Sequence, residues 1–283
     1  MTLQLDTTHH DRDAVGMTYV YPVLSRRSGG VSVGINLNIN NACNWRCIYC
    51  QVPELKRGGP PPVDLARLED ELRRMLTTII HGDFMVESVP EAMRRLNDIA
   101  LSGNGEPTSA SEFPAVVAII ARLLAEFDLI GRIKVLLITN GSLIHRPYVQ
   151  AGLVQLSALG GEVWFKLDRA TREGIKRINQ TESAPDKVMG NLVRCAKLCP
   201  TWIQTCVFTL DGQPPDEAEL ADYLAFLGQA LAAKAPLKGV LLYGLARAST
   251  QPEAPRLRRL PAAWLTQLAE RIERIGLTTQ TFP

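Results

Sequence analysis

The chain reads as an α/β protein built on parallel strands, forming either a barrel or an open doubly wound sheet. Three observations predict this. Apolar strand-like runs and helical stretches alternate about six times along 283 residues, which implies right-handed crossovers between parallel strands. That length is long for an ordinary domain but suits one barrel-like unit. Finally, the polar residues gather where the predicted strands end, and parallel folds place their ligands there.

Taken in order, residues 1–17 (MTLQLDTTHHDRDAVGM) are polar and read as a flexible arm, leaving 18–283 to carry the fold. VSVGINLNI (Val31–Ile39) alternates like a strand and runs into a cysteine-rich segment. After the loop RGGPPP, Asp64–Ile80 has helical spacing at Leu65, Leu68, Leu72, Met75 and Ile79. DIALSGNGEP is a strand ending in a glycine loop, and Phe113–Phe127 is a helix. RIKVLLITNG is a strand ending in Asn-Gly, followed by a helix over Ser142–Leu159. The alternation continues with EVWFKLD and a helix over Ala184–Leu198, then WIQTCVFTLDG and a helix over Glu217–Ala233. GVLLYGLAR and a helix over Ala262–Ile275 complete it, and no solenoid repeat is visible.

Composition narrows the function classes. Apolar residues make up 46%, enough for a large core, and no run reaches the length of a membrane span. The N-terminus has no secretory h-region, so the expected compartment is cytoplasmic. The formal net charge of +2, with both signs interspersed, offers no basic field for an anionic membrane and weighs mildly against a nucleic-acid substrate.

The predicted strand ends read NNACNWRCIYC, SGNGEPT, TNGS, KLDRAT, TLDG and YGLARAS. In the first, Cys43, Cys47 and Cys50 stand three and then two residues apart. A structural zinc site asks for four ligands, commonly as paired C-x2-C units, and an electron-transfer [4Fe–4S] cluster also takes four cysteines. The remaining cysteines read as core: Cys195 and Cys199 continue an apolar helical stripe with Val188 and Leu192, and Cys206 shares a strand face with Trp202. A cubane held by three cysteines leaves one iron open to chemistry.

C-x3-C-x2-C with the aromatic Tyr49 before its last cysteine resembles the radical S-adenosylmethionine (radical SAM) superfamily. The resemblance extends over roughly Tyr19 to Arg247, because GNGEPT (Gly103–Thr108), TNG (Thr139–Gly141) and KLD (Lys166–Asp168) follow in the expected order. SRRSGGVSVGIN, with Arg26 and Arg27, and LYGLARAS are similar to the iron–sulfur oxidoreductase subgroup that includes the wybutosine-synthesis enzymes. Those enzymes carry further cysteines upstream of the triplet, whereas the first 42 residues here contain none.

The resemblance implies a partial (β/α)6 TIM-like barrel with its cofactor at the C-terminal strand ends. It implies a [4Fe–4S] cluster on Cys43, Cys47 and Cys50 whose open iron is chelated by S-adenosylmethionine. An electron from an external reductant of flavodoxin or ferredoxin type would release a 5′-deoxyadenosyl radical, which abstracts hydrogen from an unidentified substrate. Tyr49 would lie near the adenine, and Gly103, Asn104, Gly105 and Glu106 would line the methionine end. Asn140 is either a cofactor contact or a turn residue. Lys166 and Asp168, two apart on one strand face, either bind the carboxylate and a ribose hydroxyl or pair with each other. Tyr243 and Arg247 end the last strand and face cofactor or substrate, while His81 and His145 lack ligand spacing and read as structural.

Two other readings compete. The chain would be an electron carrier if Cys195, Cys199 or Cys206 supplied a fourth cluster ligand, or a structural zinc protein. Within radical enzymes of unidentified substrate, a glycyl-radical-enzyme activase and a tRNA modifier are the alternatives, and a compact barrel with one cluster equally suits small-molecule oxidoreductases and methylases.

Overall fold

Inward- and outward-facing side chains alternate along each strand, and the outward set is almost wholly aliphatic. The structure is a computed structural model that describes residues 5–6, 15–25 and 29–283; Arg26, Arg27 and most of the expected arm lie outside the described residues. Strand β1 (Val20–Ser25) runs antiparallel to β2 (Gly30–Ile35). The short strands β3 (Ala42–Cys43) and β4 (Lys56–Arg57) pair with each other at the base of the cysteine loop. Helices α1 (Leu65–His81) and α2 (Phe84–Ser88) lead to β5 (Leu96–Leu101), α3 (Phe113–Glu126), β6 (Lys134–Thr139) and α4 (Pro147–Ala158). Then come β7 (Glu162–Lys166), α5 (Arg172–Asn179), α6 (Pro185–Leu198), β8 (Thr201–Cys206) and β9 (Thr209–Leu210). The chain closes with α7 (Glu217–Ala232), β10 (Leu237–Tyr243), β11 (Leu257–Arg258), α8 (Ala262–Arg274) and β12 (Thr279–Phe282).

Eight strands form one sheet in the order β1-β2-β5-β6-β7-β8-β10-β12. Every pair after β1–β2 is parallel. Among the described residues β1 and β12 do not pair with each other, so the barrel is partial, as the resemblance implied. The six expected strands and six expected helices are all present. The antiparallel edge β1, the last strand β12 and the short helices α2 and α5 come in addition.

Boundaries moved for local reasons. The expected helix from Ser142 starts at Pro147, because Arg146 before the proline is held extended (φ −76°, ψ 133°). The expected strand to Ile39 ends at Ile35, where the Asn36 side chain accepts from the backbone of Asn38 (3.1 Å) and Asn104 (3.0 Å) and turns the chain. Side-chain oxygens of Asp64, Thr171 and Asp216 cap α1, α5 and α7 by accepting the N–H three residues on.

Val31, Val33 and Ile35 of β2 face outward with Ile99, Leu101, Val135, Leu137, Val163, Phe165, Ile203, Val240 and Leu242, all fully buried. They pack under the helices against side chains such as Leu68, Leu72, Val117 and Ile120. The inward positions carry Ser32, Asp98, Trp164, Lys166 and Gln204 among Ala100, Leu136 and Ile138, leaving a hollow of mixed polar and apolar lining inside the curved sheet. No described helix is long and apolar enough to cross a membrane.

Candidate active site

At the C-terminal ends of the strands the hollow opens as a cavity of about 360 Å³, within the usual range for small-molecule sites. Cys43, Cys47, Cys50 and Tyr49 form one wall. Gly103, Asn104, Gly105 and Glu106 form the next, with Asn140 and Lys166 beyond. Tyr243 and Arg247 reach it from β10 and the loop after it. Asp168 does not lie on the cavity wall.

The cysteine loop is pinned from three sides. Arg46 and Ile48 donate their backbone N–H groups to Asn179 O (3.2 Å) and Ile178 O (2.9 Å), so the loop satisfies carbonyls at the C-terminus of α5. The segment after β10 reaches over it: Ser249 donates to Ile48 O (2.9 Å), Thr250 N to Cys50 O (3.0 Å) and the Gln251 amide to Val52 O (2.9 Å). Arg46 makes a two-point ion pair with Glu253 at 3.0 and 2.5 Å. On the third side Asn44 accepts from the Asn140 amide (2.8 Å) and donates to Ser142 (2.8 Å).

Glu106 is 2% exposed. Its carboxylate accepts from Thr108 N (3.1 Å), Thr108 Oγ1 (2.6 Å), Thr139 Oγ1 (2.5 Å) and Asn140 N (2.6 Å). It therefore stitches the GNGEPT loop to the TNG turn. Burial pushes its pKa up in spite of these donors. Gly105 packs so tightly on the chain leading to Cys43 that a Cβ would stand 2.1 Å from Ala42 O. The buried Oδ1 of Asn104, by contrast, has no partner among the described residues.

Asp168 lies two residues beyond the end of β7, where the strand alternation no longer holds. Its carboxylate turns to the protein side, accepting from Tyr49 OH (2.5 Å), Asn179 Nδ2 (2.7 Å) and Cys206 N (3.0 Å). Lys166, on the strand itself, keeps its ammonium in the cavity, 3.2 Å from Tyr243 OH and 4.9 Å from the Tyr49 ring centre. Burial alone would lower its pKa, but Tyr243, Asp168, Cys47 and Cys206 outweigh that and hold it up, so the charge persists.

Burial pushes the Cys43 and Cys47 thiols up to about 12. Trp45 N–H (3.4 Å) and the Asn179 amide (3.3 Å) point at their respective sulfurs, as donors do toward cluster thiolates. The three thiols face one space without being drawn together: among the described residues no three His, Cys, Asp or Glu side chains are gathered closely enough to hold a metal ion. The donor set nonetheless fits an iron–sulfur cluster with an amino-acid ligand: three sulfurs, a lone ammonium and an unpaired amide oxygen on one cavity.

Of the other cysteines, Cys195 and Cys199 are in the main core, 3.5 Å from Thr201 Oγ1 and Gly161 O respectively, whereas Cys206 lines the cavity and packs in the apolar cluster beneath the cysteine loop. His81 stacks on Phe127, and His145 is exposed. Sequence reasoning missed Asn44, Asn179, Ser249, Gln251 and Glu253, whose partners are distant in the chain. It also missed Gln204, which the two-residue spacing from Cys206 would have placed on the inward face.

Comparison with known proteins agrees with this geometry. The family described as the radical SAM superfamily matches residues 37–224. A protein of Helicobacter pylori (strain ATCC 700392 / 26695) named UPF0026 protein is 25% identical over 77% of this chain, which spans only 65% of that relative. The structure of TYW1 with a lysine–pyruvate adduct bound superposes with a TM-score of 0.58 at 15% identity, covering 86% of this chain and 73% of TYW1. A radical SAM methyltransferase from Sphaerobacter thermophilus superposes with 0.56 at 12%, covering 93% and 69%. At such identities these structures share the fold. The match to the family covers well over half of the chain, in register with the cysteine loop and the strand ends that follow it, and the chain belongs to the radical SAM superfamily.

Proposed function

We infer that this chain is a radical enzyme acting on a small substrate, with Cys43, Cys47 and Cys50 holding a [4Fe–4S] cluster and S-adenosylmethionine completing it. The carrying observation is the cavity itself, where the three thiols, the Lys166 ammonium and the unpartnered Asn104 Oδ1 meet at the C-terminal strand ends. When bound, the cluster and S-adenosylmethionine, with one electron from a flavodoxin- or ferredoxin-type reductant, supply a 5′-deoxyadenosyl radical able to abstract hydrogen.

The protein's own groups bind and orient. Lys166 anchors the carboxylate of the methionine moiety, and Asn104 Oδ1 accepts from its ammonium. Glu106 is a positioning residue, holding Asn140 and the glycine loop. Asp168 acts through Tyr49, fixing that ring beside the cavity rather than meeting the ribose itself. Trp45, Leu55 and Leu245 give the cavity apolar wall beside the cysteine loop.

The test is anaerobic. Reconstituted protein given dithionite and S-adenosylmethionine should form 5′-deoxyadenosine, and Cys47→Ala should not. Cluster content should survive Cys195→Ala, Cys199→Ala and Cys206→Ala. A reduced, intact cluster whose spectrum ignores S-adenosylmethionine, with no 5′-deoxyadenosine, would instead make the chain an electron carrier.

A further inference from the structure

Below the level of the cysteines the cavity continues down the inward face of the strands, and its chemistry changes there. β7 and β8 pair with Lys166 beside Gln204 and Trp164 beside Trp202, and β10 places Leu241 on the other side of Gln204. One rung higher stand Cys206 and Tyr243. Around Gln204 the walls are mostly apolar: Ala100, Leu136, Ile138 and the Trp164 indole.

Gln204 is 3% exposed and lines the cavity, and its Oε1 has no hydrogen-bond partner among the described residues. A buried amide oxygen left unpaired works against folding, and native proteins rarely keep one without a use. Packing does not call for it, since the neighbouring inward position on β10 is filled by leucine. A ligand is the remaining partner.

The amide group also defines that ligand. A carboxamide offers a donor and an acceptor side by side, and the group that answers both is another amide edge, O=C–N–H, with its two atoms reversed. A carboxylate would engage the nitrogen of Gln204 but set its second oxygen against Oε1. A cation at Gln204 would sit beside the Lys166 ammonium and be repelled, while the Asp98 carboxylate lies further down the inward face and accepts from Ser32.

We propose that Gln204 reads the amide edge of an uncharged, ring-sized substrate, such as a lactam, imide or oxo-heterocycle, held in the inner half of the cavity against Leu136, Ile138 and Trp164. As a substrate pocket it rests on the radical enzyme proposed above; as a binding pocket it stands on Gln204 alone.

The experiment is a ligand-observed NMR titration of the anaerobically reconstituted protein with S-adenosylmethionine present. Three cyclic amides, 2-pyrrolidone, uracil and hypoxanthine, are each compared with an amide-free counterpart: cyclopentanone, pyrimidine and purine. At least one amide should bind tenfold or more tighter than its counterpart, as expected for a site that hydrogen-bonds the group in question (roughly tenfold at minimum). Gln204→Leu, checked for folding by circular dichroism, should lose that preference. Equal binding within every pair, no binding of any amide at millimolar concentration, or a preference kept by Gln204→Leu would overturn the proposal. The 5′-deoxyadenosine assay separates the two readings. Its success without amide preference removes only the pocket's assignment, and its failure with amide preference intact removes only the radical chemistry.

Discussion

Removing one hydroxyl should loosen the cysteine loop by an amount set by its acceptor. Tyr49 donates to the buried Asp168 carboxylate at 2.5 Å, and the acceptor keeps two other donors, Asn179 and Cys206 N, when that bond is lost. Tyr49→Phe leaves the ring on Phe208 (centroids 5.5 Å apart) and under Lys166, so no cavity opens. The loss is then that of a hydrogen bond to a charged group, about 2 kcal/mol. In a chain of 283 residues that lowers Tm by roughly 3–4 °C.

The assay is urea unfolding of the anaerobic cluster-free protein, followed by far-UV circular dichroism and repeated for Asp168→Asn and the double variant. The cycle should return a coupling of about 1–2 kcal/mol between the two positions. The pH dependence has a definite sign. Burial, and then the Asp168 charge, hold the Tyr49 pKa well above its ordinary value. The folded protein therefore keeps a proton that the unfolded chain gives up near pH 10. The contribution of Tyr49 is complete below that pH and declines above it, so wild type and Tyr49→Phe should converge in alkali. A change below about 0.5 kcal/mol with zero coupling would refute the reasoning, leaving the Tyr49–Asp168 contact with no part in holding the loop.

Glu253→Gln breaks the two-point pair with Arg46 and should cost about 1 kcal/mol, less at high salt. Because Arg46 holds the Glu253 carboxyl below its ordinary value, the gap should vanish in unfolding curves as pH falls through that lowered pKa. Gly141→Ala would put a Cβ 2.1 Å from the buried Phe165 ring at φ +71°. Strain and overpacking together predict a loss of about 3 kcal/mol in unfolding free energy, read as a lowered urea midpoint and large enough to disturb the neighbouring Asn140. With thiols pushed up to about 12, Cys43 and Cys47 should alkylate slowly in the cluster-free protein at pH 8. Only roughly one part in 10⁴ is thiolate there, so iodoacetamide labelling followed by mass spectrometry should accelerate steadily with pH.

Spacing along the chain makes much of this protein legible. The six strand–helix units follow from apolar periodicity, because a side chain's face depends only on its neighbours along one element. Cys43, Cys47 and Cys50 belong to one short loop, so their company needed no fold to predict it. The edges were less readable. β12 (TQTF) has no apolar alternation and is a strand because β10 offers it a partner. Helix α5 (REGIKRIN) carries just two large apolar residues, Ile175 and Ile178, too few for a periodic signal.

The division between neighbours in sequence and neighbours in space runs through the site as well. Lys166 and Asp168 look equivalent as alternate residues, but β7 ends between them, so one faces the cavity and the other turns to Tyr49, Asn179 and Cys206. Glu106 could be placed in its loop from the sequence, but not its grip on Asn140, 34 residues away. Nor could the clasp of Ser249, Gln251 and Glu253 on a loop some 200 residues earlier. The sequence alone determined the family, the candidate cluster ligands and the alternating architecture, since each is carried by local pattern. The tertiary structure decided which polar groups are spent on one another and which, like Lys166, Asn104 and Gln204, are left facing the cavity, because hydrogen-bond satisfaction depends on contacts that only the folded chain creates.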